Sequence, residues 1–229
     1  MEIVVTEAKS FHEVVRDRHS VRSFLPEPVP EDVLRAVVDE AQLAPSNCNT
    51  QPWFVHIVSG KARDALSVAL LTADEAGHYT PDFPFEQDAF SGVHFDRLRA
   101  QGAAYYEAIG VPREARDLRR DASRRNLQFF DAPHVALLFM PDTGNSVRVA
   151  GDIGMYGQTF LLSLTAHGLG GIPQTMLGMY ADTIRDVLSI DPSQKMLFGI
   201  SFGYPDRDHA ANQYRIAKAP ISETVTFHR

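Results

Sequence analysis

The segment from Val149 to His167 constrains the fold of this 229-residue chain more than any other. It is strongly apolar, helical in its period, and followed by Gly168, a residue suited to the left-handed turn that closes a helix. A helix of that character has to be covered. The chain is long enough to do so, because folding a chain of this mass hides roughly 72% of its extended surface. Gly151, Gly154 and Gly157 fall three apart on one side of the helix. Each costs helix stability unless something packs close to the backbone. A crowded core and a tight contact between subunits both satisfy that demand.

The remaining pattern alternates helices with strands. Ser10 and Glu13 form a capping box that opens a helix over about 10–18, and a second helix follows Pro28 and Pro30, with Glu31 and Asp32 at its positive end. Phe54 to Val58 reads as a strand closed by Gly60, 61–76 as a helix, 97–130 as a return to helical pattern, and His134 to Met140 as a buried strand. Leu169 to Pro173, a helix near 182–189 and a strand from Met196 to Phe202 complete the core. Such alternation predicts a layered α/β or α+β fold in one domain, 1–229, since no repeat or linker-like break interrupts it. Between 77 and 95, Tyr79, Phe83, Phe85, Phe90 and Phe95 stand among prolines and acids, as either a lid over a site or a satellite packing segment. The tail Ile221 to Phe227, within 219–229, has strand propensity after the core has closed and needs a sheet edge, in its own chain or on another subunit.

Several function classes can be set aside. A net charge of −7 argues against a nucleic-acid partner, which would call for a basic footprint. The single cysteine, Cys48, allows no intrachain disulfide and no Cys-rich metal site, which suits a reducing cytoplasm. Met1 to Glu7 lacks the pattern of a signal peptide, and no apolar run approaches the length of a membrane span. Gly199-Ile-Ser-Phe-Gly203 matches the nucleophile elbow of serine hydrolases, but Tyr204-Pro205 blocks the helix that an elbow requires after Ser201. Gly168-Leu-Gly-Gly171 reads as a helix stop rather than a dinucleotide loop. The run Arg113, Arg116, Arg119, Arg120, Arg124 and Arg125, interleaved with acids, reads by default as a solvated helix face.

Two basic clusters are more informative. Arg18-His-Ser-Val-Arg22 places two guanidinium groups, an imidazole and a hydroxyl just past a helix end, and Arg215 with Lys218 adds two cations near the C-terminus. A terminal phosphate calls for such a convergent set. The polar loop Pro45 to Trp53 offers amides and hydroxyls suited to the carbonyl and imide edge of a flat heterocycle.

These motifs in this order resemble one family. Arg18-x-Ser20-x-Arg22-x-Phe24, Ala44-Pro-Ser-x-x-Asn49-x-Gln-Pro-Trp53, Gly168-Leu-Gly-x-x-Pro-Gln174, and Gly203-Tyr-Pro followed by Asn212-x-x-Arg215-x-x-Lys218-x-Pro220 are similar to the FMN-dependent nitroreductases. Phe129 to His134 and Pro173-Gln-Thr resemble the nitrobenzoate-reductase branch. The resemblance implies an α+β fold around a mixed sheet, and a homodimer with swapped terminal extensions and two FMN sites at its interface. It assigns Arg18, His19, Ser20 and Arg22, with Arg215 and Lys218, to the phosphate, ribityl chain and ring edge. It assigns Pro45, Ser46, Asn47, Asn49 and Gln51 to the other subunit's site, and Gln174, Thr175 and Met176 to the neighbourhood of flavin N5. The pyrimidine edge falls to Arg125 or Asn126.

The implied activity is a ping-pong, two-electron transfer from NADH or NADPH through the flavin to a nitroaromatic, quinone or enone. The chemistry then resides in the cofactor, with no catalytic side chain and no metal. A different reductive or dehalogenating reaction on the same flavin is the alternative within this class, and a Ser201 hydrolase is the alternative outside it.

Overall fold

The computed structural model describes residues 9–86, 89–143 and 146–229. The segment read above for a leader, Met1 to Glu7, lies outside them. Four strands form one sheet in the order β1-β2-β4-β3: β1 is Phe54–Ser59, β2 His134–Pro141, β3 Gly170–Gln174 and β4 Gln194–Gly203. All three pairings are antiparallel. The parallel component of the expected mixed sheet is confined to an isolated bridge between Ser20 and Gly171 on the β3 edge.

Central strand β2 explains its own sequence. Val135, Leu137 and Phe139 enter one hydrophobic cluster and Ala136, Leu138 and Met140 enter the other. A strand buried on both faces has to be apolar at every position instead of alternating. One face is covered by α3 (Gly60–Glu75), through Leu66, Leu70 and Ala73, and by α7 (Ala181–Leu188), through Ile184. The other is covered by α2 (Glu31–Ala41) and by the long α6 (Ser146–Ala166), whose Ile153, Tyr156, Phe160 and Leu164 supply most of that layer. Near the start of the chain, α1 (Phe11–Asp17) has the expected capping box: the Glu13 N–H donates to Ser10 Oγ and the Ser10 N–H to Glu13 Oε2.

The glycines of α6 divide between the two readings. A Cβ on Gly157 would lie 2.9 Å from Phe198, so that position is crowded core. Gly151 and Gly154 face nothing within 4 Å and are exposed. The helical pattern over 97–130 breaks into α4 (Gly92–Ala108) and α5 (Arg116–Arg124), joined by a turn around Pro112. The start of the 77–95 segment is firmly packed. Asp82 makes a bidentate pair with Arg185 and accepts the Met196 N–H, and the Thr80 N–H donates to Met179. The tail forms a short 3₁₀ turn, Ile221–Glu223, and no strand; Ile221, Val225 and Phe227 are exposed.

His134 fixes the entry to β2. It is 3% exposed, its Nε2 accepts the Val29 N–H at 2.9 Å, and its Nδ1 therefore carries the proton and donates to Ser59 Oγ at 2.5 Å. Burial holds the imidazole below its ordinary range, so the folded state keeps it neutral while the unfolded chain protonates near pH 6.5. Stability from this group is complete above that pH and is lost as pH falls below it, with a slope of at most about 1.4 kcal/mol per pH unit. Urea titrations between pH 7.5 and 5.5 are expected to show this acid loss, and His134→Gln to flatten it; an unchanged slope in the variant contradicts the assignment.

Candidate active site

Two cavities flank the β3 edge. The segment after α1 runs against that edge, where the Val21 N–H donates to Gly171 O at 3.3 Å. Gly170 is required there, because a Cβ would meet Val21 Cγ2 at 2.6 Å. Val21 and Gly170 line the smaller cavity, of about 330 Å³, and Arg22 and Ile172 line the larger, of about 950 Å³.

The smaller cavity is cationic. Lys9, Arg16, His19, Arg207 and Arg215 line it against a single acid among the described residues, Asp17. His19 donates from Nδ1 to the Asp17 carbonyl at 2.7 Å. Burial, with the nearby Arg215 and Arg18 charges adding to it, depresses its pKa. Such a donor set suits a multiply charged oxyanion.

The larger cavity is floored by Ile172, Pro173, Thr175 and Met176, and walled by Asn126, Phe130 and the aromatic face of α4 with Tyr105 and Tyr106. Arg22 enters it between two rings, 5.1 Å from the Tyr105 centroid and 5.8 Å from that of Tyr214, and donates to Tyr214 Oη at 2.7 Å. Flat apolar walls with a few amides, and a cation held between two rings, suit an aromatic heterocycle.

Asn212 ties the two cavities to the C-terminal segment. It is 5% exposed; its Oδ1 accepts the Arg22 N–H at 2.7 Å, and its Nδ2 donates to Ser23 O and Asp206 O. Arg215 follows three residues later and is braced on the Asn212 carbonyl at 2.7 Å.

The wall behind the large cavity is also built from hydrogen bonds. Gln174 Nε2 donates to the backbone O and Oδ1 of Asn126, at 2.9 and 3.2 Å, and its Oε1 accepts from the Ser201 hydroxyl. Both Asn126 groups are acceptors, which sets the Gln174 amide orientation and leaves Ser201 as donor. Ser201 pairs with Ile172 across β3 and β4, so Gln174 is its diagonal neighbour on the same face.

The predicted site residues are thus distributed as follows. Arg22, Asn126, Thr175 and Met176 line the large cavity, and His19 and Arg215 the small one. Gln174 stands behind Asn126, and Ser20 bridges Gly171 beside the junction of the two cavities. Arg18 caps α1, and exposed Lys218 lines neither cavity. Arg125 is tied to Asp131 at 2.7 Å and stays out of the large cavity, so Asn126 is the residue at the wall. Pro45, Ser46, Asn47, Asn49 and Gln51 lie elsewhere, in a loop held to α6 by the Asn47 N–H donating to Asp152. That loop carries positive φ at Cys48, Asn49 and Gln51, strain of the kind that concentrates at binding sites.

Two expectations change. Ser201 is fully buried within β4, so the hydrolase alternative has no exposed nucleophile. The arginine run is not simply a solvated face. Arg124 pairs with Asp74 and Glu75, and Arg119 lines the large cavity. Tyr105, Tyr106 and Tyr214 belong to no motif, and two adjacent tyrosines late in a helical segment are the one trace they leave in sequence.

The family model described as the nitroreductase family matches residues 15–204, and the chain belongs to that family. It is 45% identical over 222 residues to the nitroreductase NfnB of Mycolicibacterium smegmatis, covering 97% of this chain and 94% of that one. It is 32% identical over 208 residues to a 4-nitrobenzoate reductase of Pseudomonas putida, covering 91% of each. The crystal structure of the FMN-dependent nitroreductase NfnB from Mycobacterium smegmatis in complex with NADPH superposes with a TM-score of 0.92 at 45% identity, over 95% of this chain and 97% of that one.

Removing the Ser201 hydroxyl leaves the buried Gln174 oxygen without its donor. Ser201→Ala is expected to lower unfolding free energy by about 1–3 kcal/mol, read from the urea midpoint, without the complete loss that deletion of a nucleophile produces. A variant as stable as the parent, or one fully inactive yet folded, contradicts this role.

Proposed function

We propose that this chain is an FMN-dependent NAD(P)H oxidoreductase that reduces nitroaromatics and related electron-poor acceptors, quinones and enones among them. The observation that carries the reading is the meeting of two cavities of complementary chemistry at Val21–Arg22 and Gly170–Ile172, one cationic and one aromatic. Relatives described as FMN-dependent, one of them in complex with NADPH, support it. The donor sets fit FMN, with four cationic side chains and an imidazole for a phosphate and a flat cavity with an amide wall for a ring. When bound, FMN supplies the two-electron carrier between nicotinamide and acceptor.

On this reading His19, Ser20 and Arg215, with Lys9, Arg16 and Arg207, hold the phosphate and ribityl end, and Arg18 adds its charge beside His19; Lys218 lines neither cavity. Arg22 sets a fixed positive charge beside the ring, where negative charge develops on reduction. Asn126, oriented by Gln174, meets the polar ring edge, and Thr175 and Met176 offer backbone N–H groups from the cavity floor. The Arg22–Tyr214 bond and the Asn212 clamp keep these groups in place, so little reorganisation is needed at each turnover.

The site is completed by a second copy, whose Pro45, Ser46, Asn47, Asn49 and Gln51 face the ring from across the interface. Three observations support a homodimer: the open Gly151 and Gly154 face of α6, the exposed apolar tail, and the strained polar loop that lines neither cavity. The tail 219–229 lies on the partner, and 1–229 forms one domain. The exposed free thiol of Cys48 suits the cytoplasm. Among the described residues no helix is long and apolar enough to cross a membrane.

The protein is expected to purify yellow with roughly one FMN per chain. Arg215→Ala is expected to weaken FMN by about 1.5–3 kcal/mol, the range of a charge-assisted hydrogen bond, in fluorescence titrations of the apoprotein. Colourless protein that takes up no added FMN defeats the reading.

A further inference from the structure

Of the three α5 arginines that make no ion pair among the described residues, Arg116, Arg119 and Arg120, only Arg119 is partly buried. Its Cζ lies over the Tyr106 ring, 3.8 Å from the centroid, and its Nε is buried without a hydrogen-bond partner. Neighbouring Arg124 pairs with Asp74 and Glu75, and Arg125 with Asp131. Among the described residues no carboxylate lies within 4.0 Å of Arg119. Stacking fixes the plane of the guanidinium and leaves its edge donors directed by the ring rather than by a counter-ion.

The setting is the large cavity. Arg22, Arg99, Arg113 and Arg119 line it, and Glu107 is the only carboxylate that does so among the described residues. A partly desolvated cation without a counter-ion is costly, and an incoming anion offsets that cost. The cofactor phosphate does not fill this role, because the cationic cavity assigned to it is lined by a different set of residues, with none in common.

We infer that Arg119, held on Tyr106, is an anion-recognising subsite for the molecule that turns over in the large cavity. The inference rests on the oxidoreductase reading of that cavity and adds a specificity determinant to it. The ligand chemistry is an oxyanion able to take a bidentate guanidinium contact. It has two sources: a carboxylate on an aromatic acceptor, or the extra phosphate that distinguishes NADPH from NADH.

The test uses the FMN-loaded protein, its Arg119→Gln variant and its Arg119→Lys variant. Binding of 4-nitrobenzoate is compared with that of neutral 4-nitrobenzamide, and binding of NADP⁺ with that of NAD⁺, by calorimetry. The corresponding kcat/KM ratios are measured alongside. In Arg119→Gln the anionic-to-neutral ratio is expected to fall about 10–100-fold for one pair, matching the loss of a charge-assisted contact. A fall in the benzoate pair identifies the acceptor as the source, and a fall in the nucleotide pair identifies the donor. Arg119→Lys, which keeps the charge and loses the planar stack, is expected to recover part of the loss.

Unchanged ratios in both pairs, or equal losses for charged and neutral ligands, overturn the subsite. If the wild-type protein turns over 4-nitrobenzamide with NADH while the ratios stay fixed, the subsite alone falls. If it binds FMN and turns over none of these pairs, the oxidoreductase reading falls, and the calorimetric ratios still decide the subsite.

Discussion

The cavity floor depends on how closely β3 and the turn after it approach β4. A Cβ on Gly199 would stand 2.5 Å from Leu177 of that turn, and one on Gly178 of the turn 3.0 Å from Leu197 O of β4; against the neighbouring layers, one on Gly203 would stand 2.6 Å from Pro133 and one on Gly171 2.9 Å from Leu164 of α6. In a core at native density such overlaps cannot be absorbed without shifting the elements apart, at a cost of about 1–3 kcal/mol each. Ser201, between the two glycines of β4, is small enough to share the space and polar enough to hold Gln174. The Gly-x-Ser-x-Gly pattern is therefore a packing motif with one hydrogen bond in it. Through Gln174 it reaches Asn126, so the cavity wall takes its position from the most buried part of the sheet.

Much of this was legible in one dimension. Strand β2 announces itself by an unbroken apolar run, α6 by its period, and α1 by its capping box, because each is decided by local pattern. The basic clusters at 18–22 and 215–218 were legible as sites because a phosphate demands convergent cations. Their convergence through Asn212 was not, since a single buried amide carrying three hydrogen bonds looks like any other asparagine in sequence.

In sequence Arg119 is indistinguishable from its neighbours on a mixed, solvated face. Which arginine of a mixed run turns inward is set by the break between α4 and α5 and by the position of Tyr106, and neither leaves a periodic trace. The aromatic segment after 77 was ambiguous for a related reason. Its aromatics and acids suit both a lid and a packed strap, and only the Asp82–Arg185 pair shows that its first half is fastened down. Phe85, further on, reaches the large cavity.

The central claim is that each site takes residues from two chains. Arg18→Ala and Asn49→Ala proteins, each inactive on a nitroaromatic, are unfolded together in equal amounts and refolded, with each refolded single variant as control. Random pairing gives about half mixed dimers, and two-fold symmetry puts both lesions in one site and none in the other, so about a quarter of all sites regain activity. No recovered turnover, with mixed dimers demonstrated by mass spectrometry, contradicts the shared site and leaves Asn49 a loop residue of its own chain.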